Sequence, residues 1–296
     1  MTSPQHNIVF ESALLCFLAL LWGSSYLLIK VAVETIPPIT LIATRVFIAA
    51  IFLSVIVIWK GERLPRDGKT WRLLLVQSFL TSIRAWTVLA WGQQFVDSAL
   101  ASMLNSTSPV FVFLITFFFT RHETTSWLKL FGACMGVVGV SLIVGADALQ
   151  GLGQQVLAQL AVLSGAVMYA GAAIFGKRFT HLTPLMTATC TMIWASVFLV
   201  PLSLVIDEPW TLAPSTLSMT AAVTLALLGT GVALLIYFRL LRTLGSLGTT
   251  SQSYLRAGVG VALGVIVLGE HITPVIGAGI ATALIGVIAI NSPKRA

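Results

Sequence analysis

Charge is what this 296-residue sequence has least of: Asp, Glu, Lys and Arg make up 9% of it, against about 25% in a soluble globular domain. So few ionisable side chains cannot cover a water-facing surface of this size. The hydrophobic share is 57% and the mean hydropathy is +0.97. A soluble enzyme, a secreted disulfide scaffold and a disordered chain are all excluded. Cysteine is scarce too. Cys16, Cys134 and Cys190 each fall inside an apolar run, where they read as small core residues rather than disulfide partners. Of the four histidines, His122 stands next to Glu123 in a turn, which is no metal-ligand spacing. Gly258, Gly260 and Gly264 lie inside an apolar run with no strand before them, so they read as close helix contacts and not as a phosphate loop. With no catalytic triad either, we expect no enzyme activity, no cofactor and no bound metal.

What the sequence does have is long hydrophobic runs. A helix that crosses the hydrocarbon core takes about 20 apolar residues. Ten runs can be drawn, over about 11–33, 38–59, 72–95, 98–120, 125–145, 155–177, 184–206, 215–240, 247–269 and 274–291. The first, starting near Glu11, lacks the basic flank of a signal peptide and is long enough to span. Backbone in lipid must satisfy its own hydrogen bonds, and the runs lack the alternation of barrel strands, so every span is expected to be helical. Short connections make neighbours antiparallel. The expected fold is therefore an all-α membrane protein of ten transmembrane helices.

The net charge of +7 could suggest nucleic acid, but its distribution points to the bilayer. With the N-terminus in the cytoplasm, the inner side collects Lys60, Arg63, Arg66, Lys69, Arg72, Arg121, Lys129, Lys177, Arg178, Arg239, Arg242, Lys294 and Arg295, and the outer side only Lys30. That bias predicts a multi-pass inner (plasma) membrane protein with both termini cytoplasmic, whose partners are the lipid bilayer and a small-molecule substrate, not nucleic acid.

The two halves match at a constant offset of 147: Trp22 with Tyr169, Lys30 with Lys177, Pro37 with Pro184, Glu123 with Glu270, Gly132 with Gly279 and Gly139 with Gly286. Five spans per half is odd, so the second copy must run upside down through the membrane. Inverted repeats build alternating-access carriers, with a substrate site near the midplane between them.

At this point the residues carry a resemblance. Leu20-Leu21-Trp22-Gly23-Ser24-Ser25-Tyr26-Leu27-Leu28-Ile29-Lys30 resembles the first-helix signature of the drug/metabolite transporter superfamily, EamA type, and Thr44-Arg45-Val46-Phe47-Ile48-Ala49-Ala50 resembles its second. The segment from Asp97 to Val110, containing Asn105-Ser106-Thr107-Ser108-Pro109, is similar to the fourth helix, and Leu268-Gly269-Glu270-His271 to the turn before the tenth. The resemblance implies two inverted five-helix repeats, over 1–148 and 149–296, and export of small metabolites, most often amino acids. The chain departs from that pattern at Arg256-Ala257-Gly258, where a proline is usual, and at Thr120-Arg121-His122-Glu123.

Arg84 falls near the centre of the third span and Arg256 near that of the ninth. A charge at the bilayer centre costs at least about 2.5–3.5 kcal/mol, so each should face a cavity or a partner. Each has a structural reading, as a helix-capping cation, and a functional one, as a carboxylate ligand through the planar guanidinium fork. Arg45, nearer a helix end, reads as structural. Among the aromatics, Trp22 and its repeat mate Tyr169 lead, followed by Trp86 and Tyr26; apolar cavities with a few polar groups are the usual small-molecule sites. Ser24 and the repeat mates Asn105 and Gln252 complete the expected substrate-binding set of Trp22, Ser24, Tyr26, Arg84, Trp86, Asn105, Tyr169, Gln252 and Arg256.

The acids lie in loops or at span ends, Glu11 being the nearest to an exception, and His6, His122, His181 and His271 lie outside the spans. The chain therefore reads as a facilitator without an intramembrane proton relay. An exporter of hydrophobic or cationic drugs is the alternative within transport. A non-transporting membrane enzyme or assembly factor is the alternative outside it. The oligomeric state stays open, a monomer included.

Overall fold

The computed structural model describes residues 7–92, 95–96, 98–120, 126–145, 155–268 and 273–292, with the side chains of 26, 27, 30, 90, 98–100, 102, 120, 260, 261 and 263–268 left aside. The architecture is all-α, ten transmembrane spans in two inverted five-helix repeats, with no strand among the described residues. The first span is Ile8–Ala32 and the second Pro38–Trp59. The third is broken into Gly68–Ser78, a π-helical Phe79–Ile83 and Arg84–Gly92, and the fourth into Ser98–Asn105, Ser108–Ile115 and a π-helical Thr116–Thr120. Trp127–Val144 forms the fifth.

In the second repeat, Val156–Gly176, extended by a short 3₁₀ turn over Lys177–Phe179, is the sixth span and Pro184–Ile206 the seventh. The eighth joins Thr216–Ala226, a π-helical Leu227–Val232 and Ala233–Thr243; the ninth joins Gly245–Thr250 to Gln252–Leu268; the tenth is Pro274–Asn291. Among the described residues, seven helices are long and apolar enough by themselves to cross a membrane, the eighth span with its π turn included, and the fourth and ninth spans are shortened by their breaks.

The repeat governs local chemistry as well as topology. Ser126 and Thr273, 147 apart, cap the fifth and tenth spans, their side-chain oxygens accepting from Lys129 N and Ile276 N. The π turns of the third and eighth spans fall at nearly the same repeat position. The fifth and tenth spans pack closely along a glycine seam. A Cβ on Gly132 would sit 2.8 Å from Gly286 O, and one on Gly279 would sit 2.9 Å from Gly139 O. The pair Gly132–Gly286 shifted by the repeat is Gly279–Gly139, so the seam reproduces itself under the exchange of halves. Backbones without side chains between them approach this closely, and such contacts drive helix association where lipid offers no hydrophobic contrast. The cysteines are corrected in part: all three are free, but only Cys190 is buried, whereas Cys16 and Cys134 face outward.

At the face where the first span begins, the ends of several spans are tied together. Arg239 donates to Glu11 at 2.8 Å, Thr243 donates to Glu11 at 3.0 Å, and Thr183 donates to Glu62 at 2.7 Å. Lys60, Arg239 and Arg242 border a recess on this basic face.

Candidate functional site

A cavity of about 140 Å³ lies between the repeats. Its wall is mostly apolar, from Ile29, Val33, Pro38, Leu41, Ile42, Leu89, Leu225 and Leu234, with the rings of Trp22, Trp86, Tyr169 and Tyr237. Ser25, Arg45, Thr81, Asn105, Ser108, Thr250, Gln252, Ser253 and Arg256 supply the polar groups. Because Val33 and Pro38 stand at the ends of the first two spans away from the basic face, the cavity extends toward the opposite face.

Broken helices place these polar groups. Pro109 has no N–H to bond the carbonyl four residues back; Ser108 Oγ instead donates to that carbonyl, Asn105 O, at 2.7 Å. Ser106 Oγ and Thr107 Oγ1 donate to Met103 O and Leu104 O, each at 2.6 Å. The ninth span breaks at the matching place, where Ser251 Oγ donates to Gly248 O at 2.6 Å. Hydroxyls thus reach the carbonyls around each break, replacing the missing donor at Asn105 O and joining the backbone N–H groups of Ser106 and Thr107 at Met103 O and Leu104 O, as helix breaks at membrane depth require. Asn105 ends one half-helix and Gln252 begins another.

The π turn of the eighth span anchors the opposite wall. Gly229 O accepts from Trp22 Nε1 at 3.0 Å and from Arg45 Nη2 at 3.1 Å, and Arg45 Nε donates to Thr230 Oγ1. The Arg45 guanidinium lies 4.0 Å from the Trp86 ring centroid. A buried charge must be paired or solvated, and here hydrogen bonds and a π face both serve. Trp22 packs 5.5 Å from Tyr237, and the Arg256 guanidinium lies 6.0 Å from the Trp22 ring. Four buried side-chain atoms of the wall have no hydrogen-bond partner: Asn105 Oδ1, Gln252 Oε1, Ser253 Oγ and Arg256 Nε. Only Gln77 Oε1 and Thr116 Oγ1 share that condition elsewhere among the described residues.

Of the expected residues, Trp22, Trp86, Asn105, Tyr169, Gln252 and Arg256 meet at this cavity. Ser24 does not; its hydroxyl donates to Leu20 O at 2.9 Å and Leu21 O at 3.2 Å, while Trp22, Ser25, Ile29 and Val33 form the lining face at helical spacing. The side chain of Tyr26 lies outside the described residues. Arg84 is exposed and absent from the cavity wall. The third span lines the cavity with Thr81, Trp86 and Leu89, and the five-residue step from Thr81 to Trp86 marks the π turn, which rotates Arg84 off the lining face.

Sequence reasoning missed Thr81, inside the π turn of the third span, and Tyr237, beyond that of the eighth, and it read Arg45 as structural without seeing that it also borders the cavity. Ser25, three residues after Trp22, and Ser108, both polar intramembrane positions in the sequence, line the cavity as well. Tyr254 is fully buried structure: its hydroxyl donates to Ala133 O at 2.9 Å, and its ring fills the space beside Gly136.

Two inverted five-helix repeats meeting at a cavity lined by helix breaks are the build of a membrane transporter. The chain belongs to the EamA-like transporter family, which it matches twice, over residues 10–145 and 156–292. It is 26% identical over 259 residues to the uncharacterized inner membrane transporter YedA of Escherichia coli K12, covering 87% of this chain and 83% of that one. It is also 26% identical over 274 residues to a probable terminal-alkyne amino-acid exporter of Streptantibioticus cattleyicolor, covering 91% and 89%. A protein of known crystal structure, 16% identical, shares the fold with a TM-score of 0.80 over 95% of this chain and 96% of its own.

Proposed function

We propose that this transporter is an inner-membrane exporter of amino acids, aromatic ones included, working by alternating access with both termini in the cytoplasm. The observation that carries the reading is Arg256 Nε, a donor without a partner, buried at an aromatic-walled cavity. A guanidinium in an apolar wall favours a carboxylate-bearing ligand. The rings of Trp22, Trp86, Tyr169 and Tyr237 supply apolar contact for its side chain. The relative named as an amino-acid exporter supports the same substrate class.

In this orientation the basic face is cytoplasmic and the cavity extends outward, with the Glu11–Arg239 pair on the closed side. The charges at the cavity, Arg45 and Arg256, stay protonated and cannot relay protons. Glu11 is buried rather than bordering water, but it is engaged by Arg239 and Thr243. Transport accordingly runs down the substrate's own gradient.

Proteoliposomes holding the full chain test this with labelled amino acids and labelled organic cations. Amino-acid flux lost in Arg256→Lys, with the variant still folded, is the expected result. Flux of cations alone, or amino-acid flux unchanged in Arg256→Lys, overturns the reading. Concentrative uptake driven by an imposed pH gradient at clamped membrane potential overturns the facilitator.

A further inference from the structure

We infer that the two helix breaks form an ammonium-binding pole, in which Asn105 Oδ1 and Gln252 Oε1 accept hydrogen bonds from the free amino group of a zwitterionic substrate, while Arg256, one helical turn after Gln252, holds its carboxylate with help from Ser253. The inference rests on the amino-acid reading above and adds a requirement to it, an unblocked primary amine.

Both amide oxygens are acceptors with no donor, on residues only 3% and 5% exposed. Leaving such a group unpaired forfeits its hydration with nothing in return, and native structures rarely keep one without a reason. Here two occur at repeat-related positions, on residues that both line the same cavity. Residues exchanged by a two-fold axis lie equally far from it, so a ligand near the axis is offered both alike. A ligand that satisfies both through one atom needs at least two N–H or O–H donors on that atom. An ammonium carries three; a hydroxyl carries one and a carboxylate none.

The second pole is not duplicated, and that asymmetry orients the ligand. Ser253 and Arg256 have Ser106 and Pro109 as repeat mates; Ser106 Oγ already donates to Met103 O, and Pro109 offers no donor. At this pair of positions, therefore, donors for a carboxylate stand in the second repeat alone, and the first-repeat guanidinium at the cavity, Arg45, is already bonded to Thr230 and Gly229 O. Gln252 and Arg256 are four residues apart and share a helix face, yet Gln252 Oε1 and Arg256 Nε bond neither each other nor any other group. Acceptor and donor at that separation match the two poles of an α-amino acid, with the side chain directed to the rings.

The test is competition binding on the purified full chain with labelled L-phenylalanine, L-leucine and L-threonine as probes. Unlabelled competitors are each parent amino acid, its N-acetyl derivative, its 2-hydroxy acid and its methyl ester. For the wild type we expect the parent to bind at least tenfold tighter than the N-acetyl and hydroxy counterparts. Asn105→Leu and Gln252→Met should bring that preference below about threefold by weakening the parent selectively. Hydroxy or N-acetyl acids that compete as well as the parent overturn the ammonium pole, even where rejection of the methyl esters upholds the carboxylate reading. Variants that bind all competitors equally less well also overturn it, since that marks a structural loss. If a variant does not fold, the wild-type panel decides alone. If none of the three labelled amino acids binds, the amino-acid reading itself fails and takes the pole with it.

Discussion

Glu11 and Arg239 are joined at 2.8 Å across the first and eighth spans, with the carboxylate side chain 1% exposed and the guanidinium side chain 47% exposed. The inequality makes the pair directional. Losing Glu11 leaves a cation that water already reaches, at a cost below about 1 kcal/mol. Losing Arg239 strands a buried carboxylate, at a cost on the order of 3 kcal/mol. Thermal unfolding in detergent should therefore show Arg239→Ala clearly less stable than Glu11→Ala, and Glu11→Gln nearly neutral. Equal losses in the two alanine variants would show that the burial difference carries no energy.

The glycine seam predicts a sharp contrast between positions. A Cβ on Gly139 would come within 2.4 Å of Ala283 N and 2.7 Å of Gly279 O, whereas one on Gly258 meets nothing within 4 Å. Backbone cannot yield as a flexible side chain can, and overpacking costs about 1–3 kcal/mol or more. Gly139→Ala should lower the unfolding temperature by several degrees or abolish folding, and Gly258→Ala should leave it unchanged. Similar behaviour of the two variants would refute the seam.

Much of this architecture can be read without coordinates because lipid imposes it. Helices are forced by unsatisfiable backbone, and a register of 147 survives in residues such as Gly139 and Gly286 whose small size is needed. Asn105 and Gln252 were legible for the same reason, as a polar pair in equivalent breaks. What the sequence hides is the π turn. Counting by 3.6 residues puts Arg84 with Thr81 on one face, but the extra residue between Phe79 and Ile83 replaces Arg84 with Trp86. Nothing in Phe79-Leu80-Thr81-Ser82-Ile83 announces that step, and the same holds for Tyr237 beyond the π turn of the eighth span. Glu11 was visible as an acid near an edge, but its burial depends on Arg239, 228 residues away.

On the basic face, Asp67 caps the third span by accepting from Thr70 N at 2.7 Å. Hydrogen bonding from Thr70, through its side chain first and its backbone amide second, holds the Asp67 carboxyl below its ordinary value of 3.8. A lowered folded-state value means that the ionised cap stabilises at pH above the unfolded value and that this contribution fades as pH falls through the folded one. Asn is also a good cap but does not titrate. The unfolding-temperature difference between wild type and Asp67→Asn should thus be constant from pH 7 to about 5 and shift against the wild type as pH falls toward 3. A pH-independent difference would deny the carboxylate this role.

The three intramembrane arginines should separate by function when each is replaced. Arg45 is fastened on three sides, to Thr230, Gly229 O and the Trp86 ring. Lysine keeps the charge but is a compact ammonium without the planar fork, so it cannot hold both acceptors while stacking on the ring. Arg45→Lys should mainly destabilise the protein, by about 1–3 kcal/mol as expected for hydrogen bonds from a charged group, because the second and eighth spans lose their shared clasp. Arg256 makes its weaker ring contact at 6.0 Å and keeps Nε free of partners, so Arg256→Lys should leave the unfolding temperature within a degree or two while reducing amino-acid affinity at least tenfold. Arg84 is exposed and off the cavity wall; Arg84→Gln should leave affinity unchanged. The three variants measured side by side, for unfolding temperature in detergent and for amino-acid binding, decide the assignment. Loss of affinity in Arg84→Gln at unchanged stability would return that residue to the site and would mean that the π turn does not turn it away.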